Sequence, residues 1–223
     1  MNNPLRYIDP DGRYEEDVHR DLTFAIALAA GFNTGSAKAI AKYDQWADDN
    51  PATSPMGLTP FGDDVRKREL YHFTTPERRD EMWQTFTSSG SLADLGTYEH
   101  ALQDSFSHNG YSARIGQVFV GSWPDKTYNQ PKLADQMAWN TLDSLKKGLS
   151  VRQSDGREPV SYKAVEWKDI KRLVMNFNRA RTVEDKKRIV NQLVAYVQEK
   201  HYQQELDRQA RELKKRQIEK YSR

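Results

Sequence analysis

SLADLGTYEHALQDSFSHN, residues 91–109, reads as one helix, and the rest of the chain is organised around it. Ser91 and Asp94 form a capping-box-like start, with Asp in place of the usual Glu, and Gly110 can end the segment. Within it His100, Asp104 and His108 stand at i, i+4 and i+8, so they share one helix face. Neighbours at this spacing lie about 5–6 Å apart, which suits ligands of one metal ion or a carboxylate bridging two. The same spacing also suits two polar histidines hydrogen-bonding locally, with Asp104 as their partner. His-x3-Asp alone does not separate these readings.

Helix signals continue on both sides. Asp17 to Ala30 is apolar and helical with Gly31 placed to stop it, and Ser36 to Asp49 forms a second helix ending before Pro51. Residues 50–70, with Pro51, Pro55, Gly57, Pro60 and Gly62, read as a long loop. Thr75-Pro76 starts a helix carrying Met82, Trp83 and Phe86. Residues 111–131 read as loop, with Ile115 to Val120 the one short strand-like run, and Lys132 to Leu149 is again helical. From Val165 a stripe of Ile170, Leu173, Val174 and Phe177 precedes a long charged helix opened by Thr182 and Asp185. Beyond His201 that helix keeps only Leu206, Leu213 and Ile218 as large aliphatics, the pattern of a solvated, projecting segment. The expected fold is all-α, a multi-helix bundle with a long charged C-terminal helix. Its expected layout is a lead-in at 1–13, a helical metal-binding domain at 14–150 and a C-terminal helical extension at 151–223.

Composition narrows the chemistry. The 223 residues include no cysteine, which excludes disulfides, thiolate zinc sites, cysteine nucleophiles and iron–sulfur clusters. Any metal must take histidine and oxygen ligands. The 34 Lys plus Arg nearly balance 32 Asp plus Glu, and mean hydropathy is -0.91, so no general electrostatic case for nucleic acid arises. Leu22 to Ala30, the longest apolar run, is far short of the roughly 20 residues of a membrane span.

Four of the five histidines precede residue 110: His19 in the first turn of the first helix, His72 before the helix at Thr75, then His100 and His108. Asp48 and Asp49 close the second helix. Each is at an element edge, where sites are assembled. Singly, His19 and His72 also suit structural roles, and Asp48 with Asp49 a solvated helix end.

This order, carried by DLTFAIALAAGF (21–32), DQWADD (44–49) and HALQDSFSHNGY (100–111), resembles the zinc-dependent phospholipase C and P1 nuclease superfamily over about residues 14–148. The resemblance implies an all-helical phosphodiester hydrolase in which His19, Asp48, His72, His100, Asp104 and His108 hold zinc, Asp104 bridges two ions and Asp48 accepts the proton of the attacking water. The superfamily also uses its mature N-terminal residue and a later histidine followed four residues on by an acid. Here the first helix has a long lead-in, and no histidine follows His108 until His201; Gln117 stands about where that histidine belongs. The implied complement is therefore two zinc ions, with Asp125 or Asp135 assisting and Asp143 the other nearby acid. Glu99, Gln103 and Ser107 are the adjacent candidates for outer acceptors of the histidine ring protons.

NPLRYIDPDGR, residues 3–13, is similar to the end of an Rhs repeat-associated core, after which polymorphic toxins carry a variable C-terminal domain. That implies a toxin cassette from residue 14, a cognate immunity protein, association with the Rhs core and its secretion apparatus, and delivery into a target cell without a signal peptide. Arg13 replaces the Leu that many such cores carry at their autocleavage site. For substrate, Tyr71, Phe73, Phe106, Tyr111 and Trp123 would serve a phospholipid entry surface. Arg66, Lys67 and Arg68, or the basic tail from Arg208, would serve a nucleic acid. The family likeness tilts the expectation toward phospholipid. The other class left open is a decayed helical domain with structural histidines that binds a partner through its charged C-terminal helix.

Overall fold

A computed structural model describes residues 16–54, 63–107 and 126–221, and among them the chain is all-α, with one isolated bridge between Phe32 and Ser161. A π-wound stretch, Asp17–Leu22, runs directly into α1, Thr23–Ala30. Every residue of α1 except Phe24 is buried, so this short helix is apolar all round and forms the axis of the molecule. Gly31 ends it at φ 108°, a left-handed conformation that glycine adopts without a Cβ clash. Asn33 then caps α2, Thr34–Asp49, its side chain accepting from the Gly35 and Ser36 amides at 2.8 and 3.1 Å.

The expected loop at 50–70 is corrected in its second half. Residues 63–72 are helical, as α3, Asp63–Lys67, and a second π-wound stretch, Arg68–His72. Arg68 is buried rather than solvated, while the Lys67 ammonium reaches the Pro51 carbonyl at 2.7 Å. Thr75 caps α4, Pro76–Ser89, by accepting from the Arg78 amide. Next comes α5, Leu92–Ser107, the element of the opening quotation. The Ser91 hydroxyl accepts from the Ala93 amide, but Asp94 accepts the Ser89 hydroxyl instead of reaching back to Ser91, so the full reciprocal box is not made.

α6, Pro131–Ser154, outruns its expected end at Leu149 by five residues; α7, Trp167–Arg179, and α8, Val183–Tyr221, follow. α1 packs on α2, α6 and α8, while α5 packs on α2, α4 and α6. The core joins Ile26, Leu28 and Ile40 to Phe86, Leu95, Met137 and Leu145, and also to Ile170, Val174, Phe177, Leu193 and Val197. The boundary drawn at residue 150 therefore does not separate two cores: α7 and the first half of α8 close the same one. Lys186 on α8 buries its ammonium against Asp17 at 2.6 Å, tying the late helix to the π-wound stretch before α1. Beyond His201, α8 leaves the core as expected, with Leu206, Leu213 and Ile218 exposed.

One contact sets the site. Where α5 crosses α2, a Cβ on Gly96 would lie 2.6 Å from the Ile40 carbonyl oxygen and 2.9 Å from the Asp44 amide nitrogen. Only glycine lets the two backbones approach this closely, and the approach faces the carboxylates of α2 toward the histidine face of α5.

Candidate metal centre

Four helical elements deliver side chains to one buried point. The first π-wound stretch supplies His19, the second supplies His72, α2 supplies Asp48 and α5 supplies His100 and Asp104. His19, His72, His100 and Asp104 are completely buried and Asp48 is 4% exposed. Asp104 is at the centre. Its Oδ2 lies 3.0 Å from His72 Nδ1 and 3.2 Å from His100 Nε2, and its Oδ1 lies 3.3 Å from His19 Nε2. His72 Nδ1 and His100 Nε2 are themselves 3.0 Å apart. Asp48 stands further out: its Oδ1 is 3.7 Å from His72 Nδ1 and 3.8 Å from His100 Nε2, and its Oδ2 is 3.9 Å from His19 Nε2.

Two overlapping groups, His19–His100–Asp104 and Asp48–His72–His100, bring one donor atom per residue within 4.8 Å of one another, so these buried residues can hold a metal ion. The donor set and spacing fit a tetrahedral N/O ion. With metal–ligand bonds of about 2.0–2.1 Å, tetrahedral ligands sit about 3.3–3.4 Å apart; Asp104 Oδ1 stands at that spacing from His19 Nε2, and its other oxygen, Oδ2, slightly closer to His100 Nε2 at 3.2 Å.

The protonation states reflect the crowding. Burial opposes a charge on His19, but Asp44 and Asp104 overcome it and hold the imidazole well above its ordinary value. Burial likewise opposes charge on His100, yet the Asp104 and Asp48 carboxylates raise it to about 9. His72 is lowered by burial and by the neighbouring His100, despite the carboxylates beside it. Both directions favour a protonated imidazole on His19 and His100, so metal binding there competes with protons.

The expected neighbours divide. Gln103 does face a ligand histidine, with its Oε1 3.0 Å from His19 Nδ1. Glu99 accepts the Ser144 hydroxyl of α6 instead, and burial, with the charge of Asp44, pushes its carboxyl well up. Ser107 donates to the Asp104 backbone carbonyl. Asp135 is engaged by Arg179 and Asn178, and Asp143 by Lys147, so neither assists the centre; their carboxylates are committed to cations and amides on α6 and α7. Phe106 packs against the core. His108, Tyr111, Gln117, Trp123 and Asp125 lie outside the described residues.

Asp44 is the residue that sequence reasoning missed. It is completely buried against His19 and His100. Its signal was present: Asp44 and Asp48 are four apart on α2, the same one-face spacing as His100 and Asp104. Beside the centre, a groove of about 300 Å³ is lined by Trp46, Thr53, Tyr71, Arg78 and Met82 among others. Among the described residues no helix is long and apolar enough to cross a membrane. No protein-family model, curated protein or solved structure matches the chain.

Proposed function

We propose that the chain is a metal-dependent phosphodiester hydrolase whose resident metal is zinc. The observation that carries this reading is the buried convergence of His19, His72, His100, Asp48 and Asp104 at spacings that fit tetrahedral N/O coordination. Zinc bound there supplies a water acidified toward neutral pH and positive charge for phosphoryl oxygens. The chain's own residues divide the remaining work. Asp104 turns Oδ2 toward His72 and His100 and Oδ1 toward His19, so both oxygens would be available to hold metal together with these histidines. Asp48, at 3.7–3.9 Å, is the looser carboxylate, suited to accept a proton from water while still attracting the centre's cations.

The groove lined by Ala47 and Asn50, which flank Asp48 in sequence, and by Thr53, whose carbonyl meets His72 Nε2, is the approach we assign. Its Trp46 is 47% exposed, and Tyr71 and Arg78 share its wall. The Arg78 guanidinium is paired with Glu81 at 3.1 Å and Asp94 shares the wall, so the groove's contribution is the aromatic faces of Trp46 and Tyr71, which suit an apolar or aromatic substituent of the diester. The resemblance to zinc phospholipases supports phospholipid as substrate, and the similarity of residues 3–13 to an Rhs core supports a toxin role with an immunity protein as partner. A nuclease using the same centre is the second reading, favoured by the half-exposed Trp46 as a stacking platform.

The test combines zinc content by mass spectrometry with hydrolysis of bis(p-nitrophenyl) phosphate, phosphatidylcholine vesicles and single-stranded DNA. The expected result is stoichiometric zinc and diester cleavage, both lost in His100→Ala. Full diesterase activity in His100→Ala, or a zinc-loaded wild type inert toward all three substrates, would overturn the assignment.

A further inference from the structure

An imidazole that binds metal through one ring nitrogen must carry its proton on the other, and an acceptor on that far side fixes both tautomer and ring orientation. The three buried histidines can be sorted on this basis. His72 turns Nδ1 inward to Asp104, and its Nε2 meets the Thr53 backbone carbonyl at 3.3 Å. His19 and His100 are reversed. Their Nε2 atoms lie against Asp104, at 3.3 and 3.2 Å, and their Nδ1 atoms point the other way. On that far side stand two acceptors: Asp44 Oδ1, 2.9 Å from His19 Nδ1 and 3.4 Å from His100 Nδ1, and Gln103 Oε1, 3.0 Å from His19 Nδ1; of the two, Asp44 is the one that reaches both rings.

The other oxygen of Asp44 is held by a closed set of donors. Thr23 Oγ1 donates to Oδ2 at 2.7 Å and Gln103 Nε2 donates to it at 3.1 Å. Gln103 Nε2 also donates to Thr23 Oγ1 at 2.8 Å, which leaves Gln103 Oε1 facing His19 Nδ1. Three elements, α1, α2 and α5, thus contribute to fixing one carboxylate whose free edge points between two rings.

We propose that Asp44 is a positioning residue for the metal centre: its Oδ1 accepts the Nδ1 protons of both His19 and His100, and so aims both Nε2 atoms at the metal. The role rests on the zinc reading above. It separates the two aspartates of α2, with Asp48 on the metal side of the rings and Asp44 behind them. One carboxylate serving two ligands couples their orientations, so its loss should loosen both at once.

Asp44→Asn keeps the side chain's shape and removes the charge. Zinc affinity, measured by chelator competition, should weaken about 10–100-fold, while the absorption spectrum of bound Co(II) keeps the same coordination signature. In zinc-loaded wild type, ring ¹⁵N shifts should place the proton on Nδ1 of His19 and His100 and on Nε2 of His72; this measurement decides even if the variant does not fold. Wild type that binds no zinc would sink the metal reading itself. Zinc-binding wild type with an Asp44→Asn variant within twofold of it, or metal on Nδ1 of His19 or His100, would overturn the role of Asp44 alone. A changed Co(II) coordination number in the variant would make Asp44 a ligand and overturn it equally.

Discussion

Asp104→Asn is the most informative single change, because Asp104 touches all three described histidines of the centre. Asparagine preserves the volume and removes the charge, so the effect is read in metal linkage and not in packing. A ligand that binds only the folded state stabilises it by RT ln(1 + [L]/Kd), about 2.7 kcal/mol at a free concentration of 100 Kd. For a chain of this size each kcal/mol moves Tm by about 2–4 °C, so one zinc ion should raise wild type by roughly 5–11 °C and two ions by about twice that. The assay is thermal unfolding followed by circular dichroism, with and without buffered zinc, each protein compared with its own metal-free form. That reference cancels whatever the substitution does to the metal-free fold. Asp104→Asn should keep its helical signal and show a zinc shift below about 2 °C, since the charge and one of the two acceptor oxygens that face His19, His72 and His100 are gone. An undiminished zinc shift in the variant would refute the argument that Asp104 organises the site.

Other outcomes follow from the same geometry. Gly96→Ala should destabilise the protein by about 1–3 kcal/mol in denaturant unfolding, because its Cβ would fall 2.6 Å from the Ile40 carbonyl oxygen, and this exceeds the roughly 1 kcal/mol that alanine gains in a helix. It should also weaken zinc, as α2 and α5 are forced apart. Asp48→Asn should lower kcat for a diester substrate by about 10²–10⁴-fold with zinc content retained; loss of zinc would assign Asp48 as an essential ligand and not chiefly a base. His201, stacked on Tyr162 with ring centroids 4.0 Å apart, is lowered by burial from its ordinary 6.5 to about 4. The unfolded chain therefore takes up this proton first, and stability should fall as pH drops from about 6.5 to about 4, by at most about 1.4 kcal/mol per pH unit. Comparing His201→Gln with wild type over that window isolates the effect; equal slopes would count against it.

Much of the architecture was written in local pattern. The apolar run of α1 with its Gly31 stop, the Thr75-Pro76 start and the one-face spacing of His100 and Asp104 each act within a turn or two of helix, and each appears where the sequence placed it. Residues 63–72 were misread because Pro and Gly between 50 and 62 set the expectation for the whole segment, whereas the helical turns that carry Arg68 and His72 are held by burial. The apolar face of α8 was legible in Leu193, Val194 and Val197, but not that this face, with Ile189 and Val190, joins the same core as α1 and α6.

The sequence by itself determined the helical class, the exclusion of thiolate chemistry and the ligand types, because composition and helical period are properties of the chain alone. Tertiary structure decided which side chains meet. The facing of α2 on α5 depends on an absent Cβ at Gly96, and the pairing of Asp44 with His19 and His100 joins residues 25 and 56 positions apart in the chain. Helix periodicity defines a face but not the partner that face will find, and the site exists only where four such elements converge.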